Sequence, residues 1–334
     1  MRITRELLLK NARDTVAKRA PKEDGLLAAY LCGSLLPGCE PLLGGAADID
    51  LVFIYAEQTR PREIVRLTDE VHIDIQHRNR AQYEPARDLR ERAWLGHEVT
   101  TCQVLYDTDH FFDFVQAGAR SMFDTQEYTL IRAQPFFERA RAAWFDFYNH
   151  PPEAPGPLDV AHFIGALEDL GNGLASLIGA PLPERRFLLD LPERTARLGL
   201  PHLAEAMAGL LGVGEVDAGR LSGWLGDWRA AFLAAKSPDT RLHPQRIHYY
   251  ASAIEALVGE DNLAAALWPL LRTWTDAVAG LDAGSDEVAA WHAAAQRLNL
   301  IGDGAFALRV NGLDALLDRA EEFLEGWKGG LGES

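Results

Sequence analysis

Cysteine is scarce: Cys32, Cys39 and Cys102 are the three in a chain of 334 residues. An odd number without CxxC spacing supports neither a disulfide framework nor a zinc site, so a reducing, cytoplasmic setting is expected. Positive charge is short as well. Lys and Arg number 33 against 49 Asp and Glu, a net charge of −16. That excludes a general nucleic-acid or anionic-membrane binder, because phosphate surfaces call for a basic face. No apolar run approaches the roughly 20 residues of a membrane span. The opening MRITRELLLKNARD reads as an amphipathic helix, not as a signal peptide. Repeats of fixed period are absent too.

What is present is an ordinary globular composition, 48% hydrophobic and 25% charged, at a length that suggests two domains. The two parts differ in kind. Residues 1–124 carry 16 basic and 20 acidic side chains, whereas residues 125–334 carry 17 and 29, net −12, with seven of the eight tryptophans. The first part reads as a helix (3–19), strands at 26–31, 48–55 and 71–77, a helix near 80–95 and a strand at 98–106, with a polar connection over 57–70. This is a compact α/β domain on a small mixed sheet. From Thr125 no strand is evident. A helix over 124–148 containing Pro135 leads to HPPEAPGPLD, a stiff linker. Amphipathic stretches follow at 159–179, 217–236, 243–258, 261–280, 285–298 and 311–327, with Ser285 as an N-cap ahead of Asp286 and Glu287, and a fraying tail KGGLGES. The second part is an all-helical bundle.

The residues that carry chemistry lie in the first part. Gly33-Ser34 directly follows the first strand, and Asp48-Ile49-Asp50 opens the second. Alternate strand residues share a face, so the two carboxylates point the same way, about 7 Å apart along the chain. Such a pair repels itself, more so between apolar walls, unless a divalent cation neutralises it, and hard oxygen donors suit Mg²⁺. Asp48 alone could be a strand-entry turn residue; Asp50, further in, is harder to explain so. Asp74 repeats the device between Ile73 and Ile75, with His72 and Gln76 on its face. The glycine lets backbone approach a phosphate, and the Ser34 hydroxyl can hold a phosphate oxygen. Carboxylates, Mg²⁺ and a phosphate-gripping turn are the parts that in-line phosphoryl or nucleotidyl transfer needs.

The run from Gly33-Ser34 through Asp48-Ile49-Asp50 to Asp74 resembles the polymerase-beta-type nucleotidyltransferase superfamily. The order of a small catalytic domain (1–124) and a helical substrate-binding domain (125–334) is similar to the kanamycin-type aminoglycoside nucleotidyltransferases. The resemblance implies that Asp48 and Asp50 hold catalytic Mg²⁺, two ions in all, and that Gly33 and Ser34 contact the nucleotide. It implies that Asp74 is a further metal ligand or the base for the acceptor hydroxyl. Two departures stand out: Leu35-Leu36-Pro37-Gly38 where many members have an arginine, and Ala47 where many have a serine. Neither replaces a metal ligand; both touch the triphosphate grip and donor preference. In kanamycin-type enzymes a carboxylate outside the metal cluster helps deprotonate the acceptor, and Glu168 and Asp169 are the candidates here.

Other residues read more plainly. His72 is a hydrogen-bonded strand histidine, Arg185-Arg186 a solvated helix start or a triphosphate contact, the tryptophans mainly core, and the cysteines buried bystanders. The acidic second domain favours a cationic or neutral small acceptor over an RNA or DNA end. The function expected is Mg²⁺-dependent transfer of a nucleoside monophosphate, AMP from ATP, to a hydroxyl of a small acceptor such as an aminoglycoside. The alternatives are transfer to a protein or tRNA, as in toxin–antitoxin systems, and a nucleotide-binding pseudoenzyme.

Overall fold

A computed structural model describes residues 3–38, 40, 42–57, 60–236 and 240–329. Contacts divide the chain into two compact units, Met1–Thr129 and Leu130–Ser334. The division falls beyond residue 124 because the start of the following helix stays with the first unit, where the Arg90 guanidinium lies over the Tyr128 ring.

In the first unit, α1 (Arg5–Arg19) is followed by β1 (Leu26–Cys32), β2 (Ala47–Tyr55), β3 (Glu63–Arg66), β4 (Val71–Asn79), α2 (Ala93–Thr101), β5 (Gln103–Asp107) and α3 (Phe111–Arg120). The strands form one mixed sheet in the order β3-β4-β2-β1-β5, with β2 and β4 parallel and the other pairs antiparallel. Alternation along the strands sorts the side chains into two cores. Ile49, Leu51, Phe53, Val71, Ile73 and Ile75 pack with Leu8, Ala12 and Val16 of α1. Tyr30, Val52 and Ile54 pack on the other face with Val99, Phe112 and Val115 from α2 and α3.

Three local readings change. The connection 57–70 contains edge strand β3, whose Ile64 pairs with Asp74. The helix expected near 80–95 is instead two 3-10 turns, Arg80–Tyr83 and Ala86–Glu91, interrupted at Pro85. The strand expected from 98 begins only at Gln103. Residues up to Thr101 stay helical, with the Thr100 and Thr101 hydroxyls donating back to the carbonyls of Gly96 and His97.

The second unit is all helix among the described residues: α4 (Gln126–Asn149, shared across the boundary), α5 (Pro157–Ser176), α6 (Phe187–Arg197), α7 (Leu203–Leu210), α8 (Ala218–Ala234), α9 (Ile247–Gly259), α10 (Leu263–Val278), α11 (Asp286–Arg297) and α12 (Ala305–Gly329). Of the 16 residues of α10, 12 are buried, which makes it the central helix. It supplies Trp268, stacked on Phe187, and the hydroxyls that accept from two other buried indoles, Thr273 from Trp228 and Thr275 from Trp291. Ser285 caps α11 by accepting from the Val288 N–H. No helix among the described residues is long and apolar enough to cross a membrane.

Candidate functional site

The sheet brings the three expected acids together. β2 and β4 run parallel with Asp48 beside His72 and Asp50 beside Asp74. Neighbouring strands lie about 4.8 Å apart, so Asp50 and Asp74 stand side by side on one face. Asp48 and Asp74 are buried, at 4% and 1% exposure, although carboxylates are seldom buried without partners; Asp50 is half-buried. The apolar core on this face begins at Val52, directly after the acids.

The glycine–serine turn closes on the same point. Cys32 of β1 pairs with Asp50 of β2, so the chain leaves β1 next to the Asp50 carboxylate. Gly33 then takes φ of +76°, and a Cβ built there would fall 2.1 Å from Asp50 Oδ2. Only glycine satisfies both the left-handed backbone and this approach. Residues Gly33–Leu35 form a 3-10 turn with Ser34 half-buried. Arg5 of α1 holds the next segment, donating through Nη2 to the Leu35 carbonyl at 2.7 Å and also to that of Leu36. The missing arginine after Gly-Ser is thus matched by an arginine from elsewhere that supports the turn through its carbonyls.

Asp48 and Asp74 each have a basic neighbour that the sequence does not assign to them. His72 Nδ1 lies 3.3 Å from Asp48 Oδ1. Arg62 grips Asp74 with a fork, Nε to Oδ1 at 2.6 Å and Nη2 to Oδ2 at 2.7 Å. Arg62 precedes β3 in the segment read as a polar connection. Its only sequence signal is position: an arginine directly before a strand whose Ile64 meets Asp74 in register. Among the described residues, no three His, Cys, Asp or Glu side chains are gathered closely enough to hold a metal ion.

Further along the same face of β4, Gln76 and Arg78 belong to a second polar group. Arg78 donates to Glu98 Oε1 at 2.7 Å, to Glu98 Oε2 at 3.0 Å and to Gln76 Oε1 at 2.7 Å. The Tyr30 and Tyr83 hydroxyls, 2.8 Å apart, complete it, and burial pushes both phenols up. Burial, with the fields of Glu98 and Asp50, likewise raises the Cys32 thiol well above its ordinary range, and burial pushes Cys102 up to about 12. Both are free, buried thiols kept protonated, which suits packing and not nucleophilic chemistry. Cys39 lies outside the described residues, as does most of the KGGLGES tail.

Among the candidates in the second unit, Asp169, Glu168 and Arg186 are in ion pairs. Asp169 is held by Arg139 at 2.6 Å, and Glu168 faces Arg272 at 3.3 Å. Arg186 pairs with Asp190 at 3.0 Å. Arg185 is buried, not solvated: its guanidinium stacks 3.6 Å from the centre of the Tyr249 ring and donates to the Tyr249 carbonyl.

No protein-family model and no curated protein matches the chain. Among solved structures, it is similar to a nucleotidyltransferase-like protein from Exiguobacterium sibiricum 255-15, at 13% identity over 80% of each chain with a TM-score of 0.34.

Proposed function

We propose that this protein transfers a nucleotidyl group from a nucleoside triphosphate, ATP in the first instance, to a hydroxyl of a small acceptor. One observation carries the reading: two carboxylates share a face of β2 at the point where a left-handed glycine, tolerable only without a Cβ, leads into a serine turn. Stability does not explain a buried Asp48 two residues from a half-buried Asp50, since like charges in a low-dielectric wall repel.

The donor set fits Mg²⁺. That ion binds through one or two carboxylates and takes its other ligands from water and substrate phosphates, so Asp48 and Asp50 suffice to hold it. Bound there, it would neutralise the triphosphate and stabilise the leaving pyrophosphate. The chain's own residues do the rest. The Ser34 hydroxyl donates to a phosphate oxygen, and the bare Gly33 backbone lets the phosphate approach. Arg5 keeps the turn in place through its carbonyls. The acceptor is proposed to be a neutral or cationic small molecule, because residues 125–334 carry net −12 and such a field disfavours polyanions.

The test is a screen of nucleoside triphosphates against amines, polyols and sugars for pyrophosphate release with Mg²⁺ present. The expected result is acceptor-dependent release with one triphosphate preferred. A chain that neither binds Mg·NTP nor releases pyrophosphate with any acceptor is not a nucleotidyltransferase.

A further inference from the structure

We infer that Asp74 is a positioning residue for Arg62, not a metal ligand, and that the Arg62 guanidinium is a triphosphate-binding group of the site. The inference rests on the nucleotidyl-transfer reading and deepens it. Asp74 is the acid most deeply placed, 1% exposed, and the Arg62 fork engages both of its oxygens. Paired, planar hydrogen bonds of this kind fix the orientation of the guanidinium as well as its position. A divalent ion on the same carboxylate would sit beside a full positive charge, which disfavours it there. Asp48 and Asp50, on one face of β2 where the Gly33 turn closes, are the proposed metal-holding pair.

The placement of Arg62 supplies what the turn does not. Leu35-Leu36-Pro37-Gly38 brings no cation after Gly33-Ser34, and Arg5 is turned to the carbonyls of Leu35 and Leu36. Arg60 pairs with Glu23, and Arg78 with Glu98. Arg62 forks onto the carboxylate row. It does so from the segment before the edge strand, with its side chain 30% exposed, so solvent and a ligand reach it. Since Asp74 stands beside Asp50 in the sheet and Gly33 closes on Asp50, the guanidinium, the metal-holding pair and the serine turn converge on one point. A planar cation is suited to bidentate grip of phosphate oxygens.

The experiment measures binding, without turnover. Mn²⁺ affinity is read by electron paramagnetic resonance, and affinities for Mg·ATP and for inorganic tripolyphosphate with Mg²⁺ by calorimetry. Wild type, Asp50→Asn, Asp74→Asn, Arg62→Ala, Arg62→Lys and the double variant Arg62→Gln/Asp74→Asn are compared. Asp50→Asn is expected to lose Mn²⁺, while Asp74→Asn keeps an affinity close to wild type. Arg62→Ala is expected to weaken Mg·ATP and tripolyphosphate alike by about 10- to 100-fold, the scale of a charged hydrogen bond, with Lys recovering part. If Arg62→Ala does not fold because Asp74 is stranded, the double variant, which removes both charges, carries the same expectation. Loss of Mn²⁺ in Asp74→Asn equal to that in Asp50→Asn overturns the inference, as does unchanged phosphate affinity without Arg62. Weakening for Mg·ATP but not tripolyphosphate overturns the phosphate assignment. Wild type binding neither Mn²⁺ nor nucleotide overturns the nucleotidyl-transfer reading and this inference with it.

Discussion

Both units bury clusters of acids, and they treat them differently. In the helical unit Glu168, Glu184 and Asp276 are interleaved with two arginines. Arg241 meets Glu184 and lies 2.6 Å from Asp276, and Arg272 lies 2.8 Å from Asp276 and 3.3 Å from Glu168. Burial pushes the Glu184 carboxyl up to about 7. Once it is protonated, two negative charges face two positive ones and the cluster is balanced. In the sheet unit a guanidinium, Arg62, forks onto Asp74 and an imidazole, His72, faces Asp48, while Asp48 and Asp50 share a strand face about 7 Å apart along the chain. Helix side chains can reach toward partners; strand side chains in register cannot move apart. Like charges held in register on a rigid scaffold are the arrangement expected of a site that binds a cation, and a balanced cluster on helices that of a structural joint.

The sharpest way to break that contrast is at Asp50. Asp50→Asn is expected to lower kcat/KM by about 10³-fold, the upper scale for losing a group that stabilises developing charge. Its unfolding free energy should stay level or rise, because repulsion from Asp48 and Asp74 is relieved. Steady-state pyrophosphate release and urea denaturation on the same preparation measure both. Wild-type turnover, or a large loss of stability, would place Asp50 among the structural acids.

Next in size is Arg78, which carries the structural behaviour onto the site's own strand face. Removing it by Arg78→Met strands Glu98 beside the Tyr30 hydroxyl, and breaking a buried pair from one side costs about 3–5 kcal/mol. The expected result is a destabilised protein whose remaining folded fraction still binds Mn²⁺. Calorimetric melting together with a Mn²⁺ titration separates the two effects. Loss of metal binding in fully folded protein would join this cluster to the site.

The balance argued for the helical cluster predicts a pH dependence with a definite sign. Glu184 rises from an ordinary value of 4.5 to about 7 in the folded protein, so the folded state holds that proton more tightly than the unfolded one. Its contribution is fully present below about pH 4.5 and is lost as pH rises through 7, at most about 3 kcal/mol. Glu184→Gln should therefore gain stability relative to wild type between pH 5 and pH 8. An identical stability difference at the two pH values would mean that Glu184 stays ionised and the cluster is unbalanced.

These differences also mark what could be read from the chain alone. Asp48, Asp50 and Asp74 were legible because acids at alternating strand positions contradict their apolar neighbours Ile49, Ile73 and Ile75, and contradiction is visible locally. Gly33 was legible from its place, a glycine followed by a serine directly after an apolar strand. Arg62 was not, since its meaning lies in the pairing of a four-residue edge strand, EIVR, too short and too polar to show alternation. The helical unit hid α6 behind Pro192, which reads as a breaker, and α7 behind its eight-residue length. Thr100 and Thr101 misled because β-branched residues favour strands until their hydroxyls bond back to the helix.

The smallest expected effect bears on the acceptor. Asp169 and Arg139 form a pair whose side chains are 25% and 53% exposed, and exposed pairs contribute about 0.2–1 kcal/mol. Asp169→Asn should cost no more than that in stability and leave kcat untouched, if the acids of the helical unit are structural. Glu168→Gln, beside Arg272, should act mainly on stability too. Titrating kcat against pH for both variants decides the matter, because a general base leaves its mark on the acidic limb of the profile and an ion-pair partner does not. A 100-fold loss of kcat in folded Asp169→Asn or Glu168→Gln, with nucleotide affinity intact, would move that residue from the balanced class to the reacting one. The contrast between the units would then hold for metal binding alone, and the base for the acceptor hydroxyl would come from a helix.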